Sequence, residues 1–198
     1  MSAALDPEKF SLLIEDDKLQ RGDQDIKAIL QEKMEDDHFK VSVFGSTRIQ
    51  PGQKIYEDIK DFSREYARAG YDVITGGGPG VMQAASEGHR DVCQEVDDAV
   101  DTIGINITLP FEQEGNPYLE IMEEHPIFST RLDTFMLLSH VVVVAPGGIG
   151  TLLELFYTWQ LMQVDHICKT PIILYTPMYR GLIDWIREEL LGGGYISP

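Results

Sequence analysis

The chain has 198 residues, 43% of them apolar, enough for one substantial core that needs no disulfide or metal staples. Its 33 acidic and 16 basic residues leave a formal charge of -17, which repels nucleic-acid backbones and anionic membranes at long range, so neither a nucleic-acid polymer nor a membrane is expected as a partner. A local phosphate site survives that objection, because main-chain amides and one arginine hold an anion inside a negative protein.

Residues 5 to 37 are highly charged, with Leu12, Leu13, Ile26, Ile29, Leu30 and Met34 spaced as weak helical faces. They read as an N-terminal helical extension (residues 1–38) ahead of one nucleotide-binding domain (residues 39–198). No basic region followed by an apolar core opens the chain. Val41 to Phe44 is the first strand, ending in Gly45 and Ser46, and residues 54 to 69 form a helix closed by Gly70. Tyr71 to Thr75 is a second strand, followed by glycines and a helix over 81–95. Thr102 to Leu109 is a third, with a polar loop from Glu112 to Glu124 and a helix over 130–139 behind it.

His140 to Ala145 is a fourth strand, nearly all β-branched, as fits a strand buried on both faces of a parallel sheet. A helix follows to about Met162, then a fifth strand, Pro171 to Tyr175, and a last helix over 179–191. The alternation predicts an α/β fold, a Rossmann-like doubly wound open parallel sheet with helices on both faces. The longest apolar run, Val141 to Ala145, is far short of the ~20 residues of a membrane helix. Cys93 and Cys168 form no CxxC pair, and a cytoplasmic protein is expected.

Two glycine loops occupy one structural position, after a strand and before a helix: TGGGPGVM (75–82) and APGGIGTLLE (145–154). Glycine lets the backbone approach a ligand, and the free amides of the following helix suit phosphate. The candidate binding residues are Gly76, Gly77, Gly78, Gly80 and Met82 in the first loop, and Gly147, Gly148, Gly150 and Thr151 in the second. Gly45, Ser46 and Arg48, after the first strand, form a third piece in which Ser46 can donate to a phosphate and Arg48 can pair with it. No Lys-Ser or Lys-Thr follows the glycines, so ATP hydrolysis loses ground, and the first loop is no clean GxGxxG after strand one, which disfavours nicotinamide chemistry. His38, His89, His125, His140 and His166 show no ligand spacing, so no metal is expected.

Glu154 lies in the first turn of the helix after the second loop, where a carboxylate can order a water or stabilise positive charge on a sugar. Thr151 and Glu154 also have capping-box spacing, which needs no ligand. Arg131 follows Ser129 and Thr130, plausible helix caps, and so reaches the sheet's carboxyl edge, where it can clamp a phosphate. Asp133 reads as a further cap, and Phe156, Tyr157 and Trp159 as core or dimer packing.

Together GSTR (45–48), GGGPGVM (76–82), EQEGNPY (112–118) and PGGIGTLLE (146–154) resemble the LOG family, cytokinin riboside 5'-monophosphate phosphoribohydrolases formerly labelled lysine decarboxylases. The resemblance covers about residues 41 to 191 and implies a Rossmann-like homodimer with pockets near the subunit boundary. It implies Glu154 and Arg131 as the catalytic residues, no cofactor, and hydrolysis of a nucleoside 5'-monophosphate, AMP or an N6-modified relative, to free base and ribose 5-phosphate. The family's arginine is followed by lysine, whereas this chain has Leu132. A rival reading is a non-catalytic carrier of a nucleotide or phosphorylated cofactor, similar to molybdenum cofactor carriers. Pyridoxal chemistry is disfavoured, since no lysine lies between Lys60 and Lys169 to form a Schiff base.

Overall fold

The computed structural model describes residues 38–93, 100–108 and 115–197, so the helices expected within residues 5 to 37 lie outside the described residues. Six strands form one sheet: β1 (Phe39–Phe44), β2 (Tyr71–Thr75), β3 (Thr102–Ile107), β4 (Ile121–His125), β5 (Val141–Val144) and β6 (Ile172–Leu174). Their order is β4-β3-β2-β1-β5-β6 and every neighbouring pair is parallel. The long helices are α1 (Lys54–Arg68), α2 (Val81–Val92), α3 (Phe128–Leu138) and α4 (Ile149–Gln163).

Alternation along each strand sorts its side chains to two faces. Val41, Val43, Val73 and Val143 pack with Tyr56 and Ile59 of α1 and Val81, Ala84 and Ala85 of α2. Phe44, Ile74, Ile103, Ile105, Val142 and Val144 pack on the opposite face with Phe135, Met136 and Leu138 of α3 and Leu155 of α4. Burial on both faces explains the unbroken apolar run of β5. The helices therefore lie on both sides of an open parallel sheet, the doubly wound arrangement expected. Among the described residues no helix is long and apolar enough to cross a membrane.

Helices α1 and α2 meet at Gly88, where an added Cβ would run into the Lys60 carbonyl and stand 2.7 Å from its carbon. Ion pairs from Lys60 to Glu87 (2.6 Å) and Asp91 (3.2 Å) and from Arg64 to Asp91 (2.6 Å) flank the contact. Gly88→Ala is expected to destabilise the fold by about 1–3 kcal/mol through this backbone clash, seen as a lower urea midpoint with an unchanged slope.

His89 is buried between two hydrogen bonds: its Nε2–H donates to the Tyr71 carbonyl (2.9 Å) and its Nδ1 accepts from the Thr102 hydroxyl (2.8 Å). Burial pushes its pKa below the usual histidine range. The unfolded chain then takes up a proton near pH ~6.5 that the folded one refuses. Stability is expected to be lost as pH falls below that value. Unfolding curves at successive pH values measure this slope, and His89→Gln is expected to flatten it.

The structure departs from expectation in three places. The polar loop expected over Glu112 to Glu124 contains β4, making six strands rather than five. Its inward positions are Ile121, which packs on the core, and the buried Glu123 and His125, so the face against the protein carries only one apolar residue. The last helix, expected over 179–191, is a 3-10 turn (Pro177–Tyr179), a short α-helix α5 (Arg180–Trp185) and a π-helical end (Ile186–Leu191). Ser129 and Thr130 do not cap α3: the N-cap is Ile127, without a side-chain cap, and Thr130 Oγ1 donates back to its carbonyl (2.9 Å).

Candidate functional site

Strand β1 has β2, β3 and β4 on one side and β5 and β6 on the other, so the chain reverses direction across the sheet between β1 and β5. Open α/β sheets bind ligands at the carboxyl end of such a switch point. Three loops converge there. The Ser46 amide donates to the Pro146 carbonyl (3.0 Å) and the Val81 amide to the Ser46 carbonyl (3.0 Å), tying the loops after β1, β2 and β5 together. Gly45 packs on Val81, with room for no Cβ. The Ser46 hydroxyl accepts from the Arg48 amide (3.1 Å) and keeps its own proton to donate, while the Arg48 side chain is exposed.

In the first loop Gly76, Gly77, Gly78 and Gly80 are all buried. The Gly77 amide donates to Thr75 Oγ1 (3.1 Å). Gly80 is the N-cap of α2 at φ 74°, and its Cα faces the backbone of Ser46 and Thr47. The site of an absent Gly76 Cβ lies 2.5 Å from Arg131 Nη2 and 2.8 Å from Met82 Sδ, so guanidinium and thioether both rest on this glycine.

In the second loop Gly148 is the N-cap of α4 and no side chain caps it. Thr151 is buried against Gly147, where an added Cβ would come within 2.5 Å of the threonine Cβ. A Cβ on Gly148 or Gly150 would meet nothing within 4 Å. The first amides of α2 and α4 have no acceptor within their own helices, and both helices start at this edge. Tyr179, also buried, donates to the Ala145 carbonyl (2.7 Å) at the start of the second loop.

Arg131 joins the two halves. It is 9% exposed; its Nε donates to the Ile105 carbonyl (2.9 Å), its Nη1 to Glu154 Oε1 (3.1 Å), and its guanidinium lies 5.1 Å from the Phe135 ring centroid. Glu154 is spent on this pair and not on a capping box, since Gly148 is the cap and Thr151 lies inside the helix. Burial raises the Glu154 pKa above the ordinary carboxylate range, and the Arg131 charge opposes that rise. Asp133, read as a cap, instead accepts a hydrogen bond from Tyr157 of α4, a second tie between the same two helices. Leu132 is buried.

Two residues at the site escaped sequence reasoning. Asn116 donates from its side chain to the Gly77 and Gly78 carbonyls (both 3.2 Å) and from its amide to Gly77 (2.7 Å); its motif, EQEGNPY, was visible, but its target was not. Tyr179 carried no signal at all. Of the described lysines, Lys40 is buried in β1, Lys54 pairs with Asp58, Lys60 pairs with Glu87 and Asp91, and Lys169 is exposed ahead of β6.

A family model described as possible lysine decarboxylase matches residues 82–198, a stretch holding Arg131 and Glu154. The pyrimidine/purine nucleotide 5'-monophosphate nucleosidase of Escherichia coli (strain K12) is 32% identical over 115 residues. That match takes in 54% of this chain but only 24% of the relative, about a quarter of its length. A structural-genomics X-ray structure is 29% identical with a TM-score of 0.56, covering 70% of this chain and 75% of that one. The molybdenum cofactor binding protein of Rippkaea orientalis shares the fold at 22% identity and a TM-score of 0.55, covering 76% of this chain and 83% of that one. Matched over more than half its length by that family model, with Arg131 and Glu154 meeting at the glycine loops, the chain belongs to the LOG family, the group formerly described as lysine decarboxylase-like.

Proposed function

We propose that the protein hydrolyses the N-glycosidic bond of a nucleoside 5'-monophosphate, AMP or an N6-modified relative, to free base and ribose 5-phosphate. The observation that carries this reading is the Arg131–Glu154 pair, a buried carboxylate and guanidinium held beside two glycine loops. The E. coli relative named a nucleotide 5'-monophosphate nucleosidase supports the same chemistry.

The 5'-phosphate is received by the amides opening α4 and those of the first turn of α2 after Val81, with Gly45, Ser46 and Arg48 after β1 and Gly147, Gly148, Gly150 and Thr151 in the second loop. Gly148 and Gly150 support this assignment, because this chain's own packing does not require glycine there. As the bond from C1' to the base nitrogen breaks, its electron pair leaves with the base and positive charge builds on the ribose. The Glu154 carboxylate stabilises that charge, orients the water whose oxygen bonds to C1' and takes that water's proton, while the departing base nitrogen takes up a proton from solvent to leave as neutral base. A guanidinium is a poor proton donor, so Arg131 positions Glu154 and nucleotide instead of donating a proton. A decarboxylase using a lysine Schiff base has no support from the described lysines: Lys54 and Lys60 are ion-paired, Lys40 is buried in β1, and Lys169 precedes β6, away from the carboxyl edge of the sheet.

Purified protein incubated with AMP is expected to release adenine and ribose 5-phosphate, resolved by chromatography. Binding without turnover across purine and pyrimidine monophosphates would instead establish the second reading, a non-catalytic carrier of a nucleotide or phosphorylated cofactor. One observation favours that carrier: the family's lysine after the arginine is replaced by the buried Leu132.

The functional form is a cytoplasmic homodimer. Ile149, Leu153 and Phe156 recur at helical spacing on α4 and are 82%, 45% and 39% exposed, an apolar stripe beside the site. Phe156→Asp is expected to convert a dimer to monomers in sedimentation velocity.

A further inference from the structure

An anion loop works only if its peptide units turn their N–H groups toward the ligand and their carbonyls away. Carbonyls turned inward must find donors, since a buried unpaired carbonyl is costly and would favour flipping the peptide back. In the first glycine loop the Gly77 carbonyl, whose peptide unit carries the Gly78 N–H, meets this requirement through Asn116, which also holds the Gly78 carbonyl ahead of Pro79, a residue with no N–H to aim. Asn116 Nδ2 donates to both at 3.2 Å, and the Asn116 amide adds a bond to Gly77 O at 2.7 Å.

Asn116 is itself held. It is 8% exposed, its Oδ1 accepts from the Tyr118 amide (3.2 Å), and its Nδ2 also reaches Ser86 Oγ (3.4 Å) on α2, the helix this loop opens. The anchor therefore comes from the segment between β3 and β4, outside the glycine loop and its helix. Gly77 needs such an anchor more than its neighbours. At φ 73° it adopts a conformation open to glycine, and glycine crosses readily to alternatives in which its carbonyl points elsewhere.

We propose that Asn116 is a positioning residue for the phosphate: by pinning the Gly77 carbonyl it turns the Gly78 N–H to the ligand side of the first glycine loop, and by holding the Gly78 carbonyl it fixes the path of the loop into Pro79. This rests on the nucleotide monophosphate reading of the site. Asn116 touches neither Arg131 nor Glu154 in its recorded bonds, so its effect falls on the phosphate and not on bond cleavage.

Asn116→Asp keeps the shape and the acceptor for Tyr118 but removes the donor, and Asn116→Ala removes both. The full chain and each variant are titrated calorimetrically with AMP, ribose 5-phosphate and adenosine, and their steady-state kinetics with AMP are measured. Both variants lose the two side-chain bonds and keep the one from the Asn116 amide, and phosphate binding is expected to weaken roughly 10-fold. Kd for AMP and ribose 5-phosphate is expected to rise together by that factor in both variants. KM rises with it, kcat at saturation stays within about threefold, and adenosine affinity is unchanged. A folded variant that binds AMP as tightly as the parent overturns this inference alone, as does one whose loss is equal for AMP and adenosine. Should Asn116→Asp fail to fold, Asn116→Ala decides by the same comparison. A parent protein that takes up neither AMP nor ribose 5-phosphate overturns the functional reading, and this inference with it.

Discussion

Glu154→Gln is expected to slow release of adenine from AMP by about 100- to 10,000-fold, the usual contribution of a positioned acid/base or charge-stabilising group, while nucleotide binding stays measurable. Glutamine matches glutamate in shape and can still accept a hydrogen bond from Arg131, so the guanidinium keeps its place against Gly76 and Phe135. What disappears is the negative charge that ribose needs as the base departs. Single-turnover assays with saturating enzyme separate the two effects. A variant that cleaves at the parental rate would remove Glu154 from the chemistry.

The same residue sets the acid limb of the pH profile. Burial raises its pKa, so the carboxylate needed for catalysis is lost at a higher pH than for an ordinary glutamate near ~4.3. Activity is expected to fall as pH decreases through that raised value and to be fully present above it. The residual activity of Glu154→Gln is expected to lack this limb in kcat/KM.

Gly80→Ala is the substitution expected to damage the fold and the site together. The residue sits at φ 74°, where a Cβ is strained, and that Cβ would strike the Ser46 carbonyl and lie 2.7 Å from the Thr47 carbonyl carbon. Strain of about 1–2 kcal/mol adds to an overpacking penalty of about 1–3 kcal/mol. Relief by moving Ser46 would break its bond from the Val81 amide and disturb its tie to Pro146, the link that joins the three loops. Thermal unfolding is expected to show a markedly lower midpoint, with AMP protection lost. An unchanged midpoint would mean the loop relaxes freely and the tie is dispensable.

The sheet was largely legible because parallel strands buried on both faces write themselves as apolar runs. Tyr71–Thr75 matches its expected bounds, and Val141–Val144 lies inside the predicted run. Strand β4 was not legible, since an edge strand whose inward side holds Glu123 and His125 beside the single apolar Ile121 lacks the usual alternation. The glycine loops, Arg131 and Glu154 were all readable as candidates, and the structure brings the arginine and the glutamate into contact. Arg48 was equally visible, yet its side chain is exposed at the rim.

Composition, periodicity and motif spacing were enough to determine a doubly wound α/β chain with glycine-rich turns opening two of its helices, because those properties are local and repeat along the chain. Only tertiary structure decided that Glu154 pairs with Arg131 rather than capping its own helix, that Asn116 holds the first glycine loop, and that Tyr179 holds the second. Each joins residues 23 to 39 positions apart. Such pairings depend on which strands neighbour one another, and strand order is set by packing the whole sheet rather than by any segment of it.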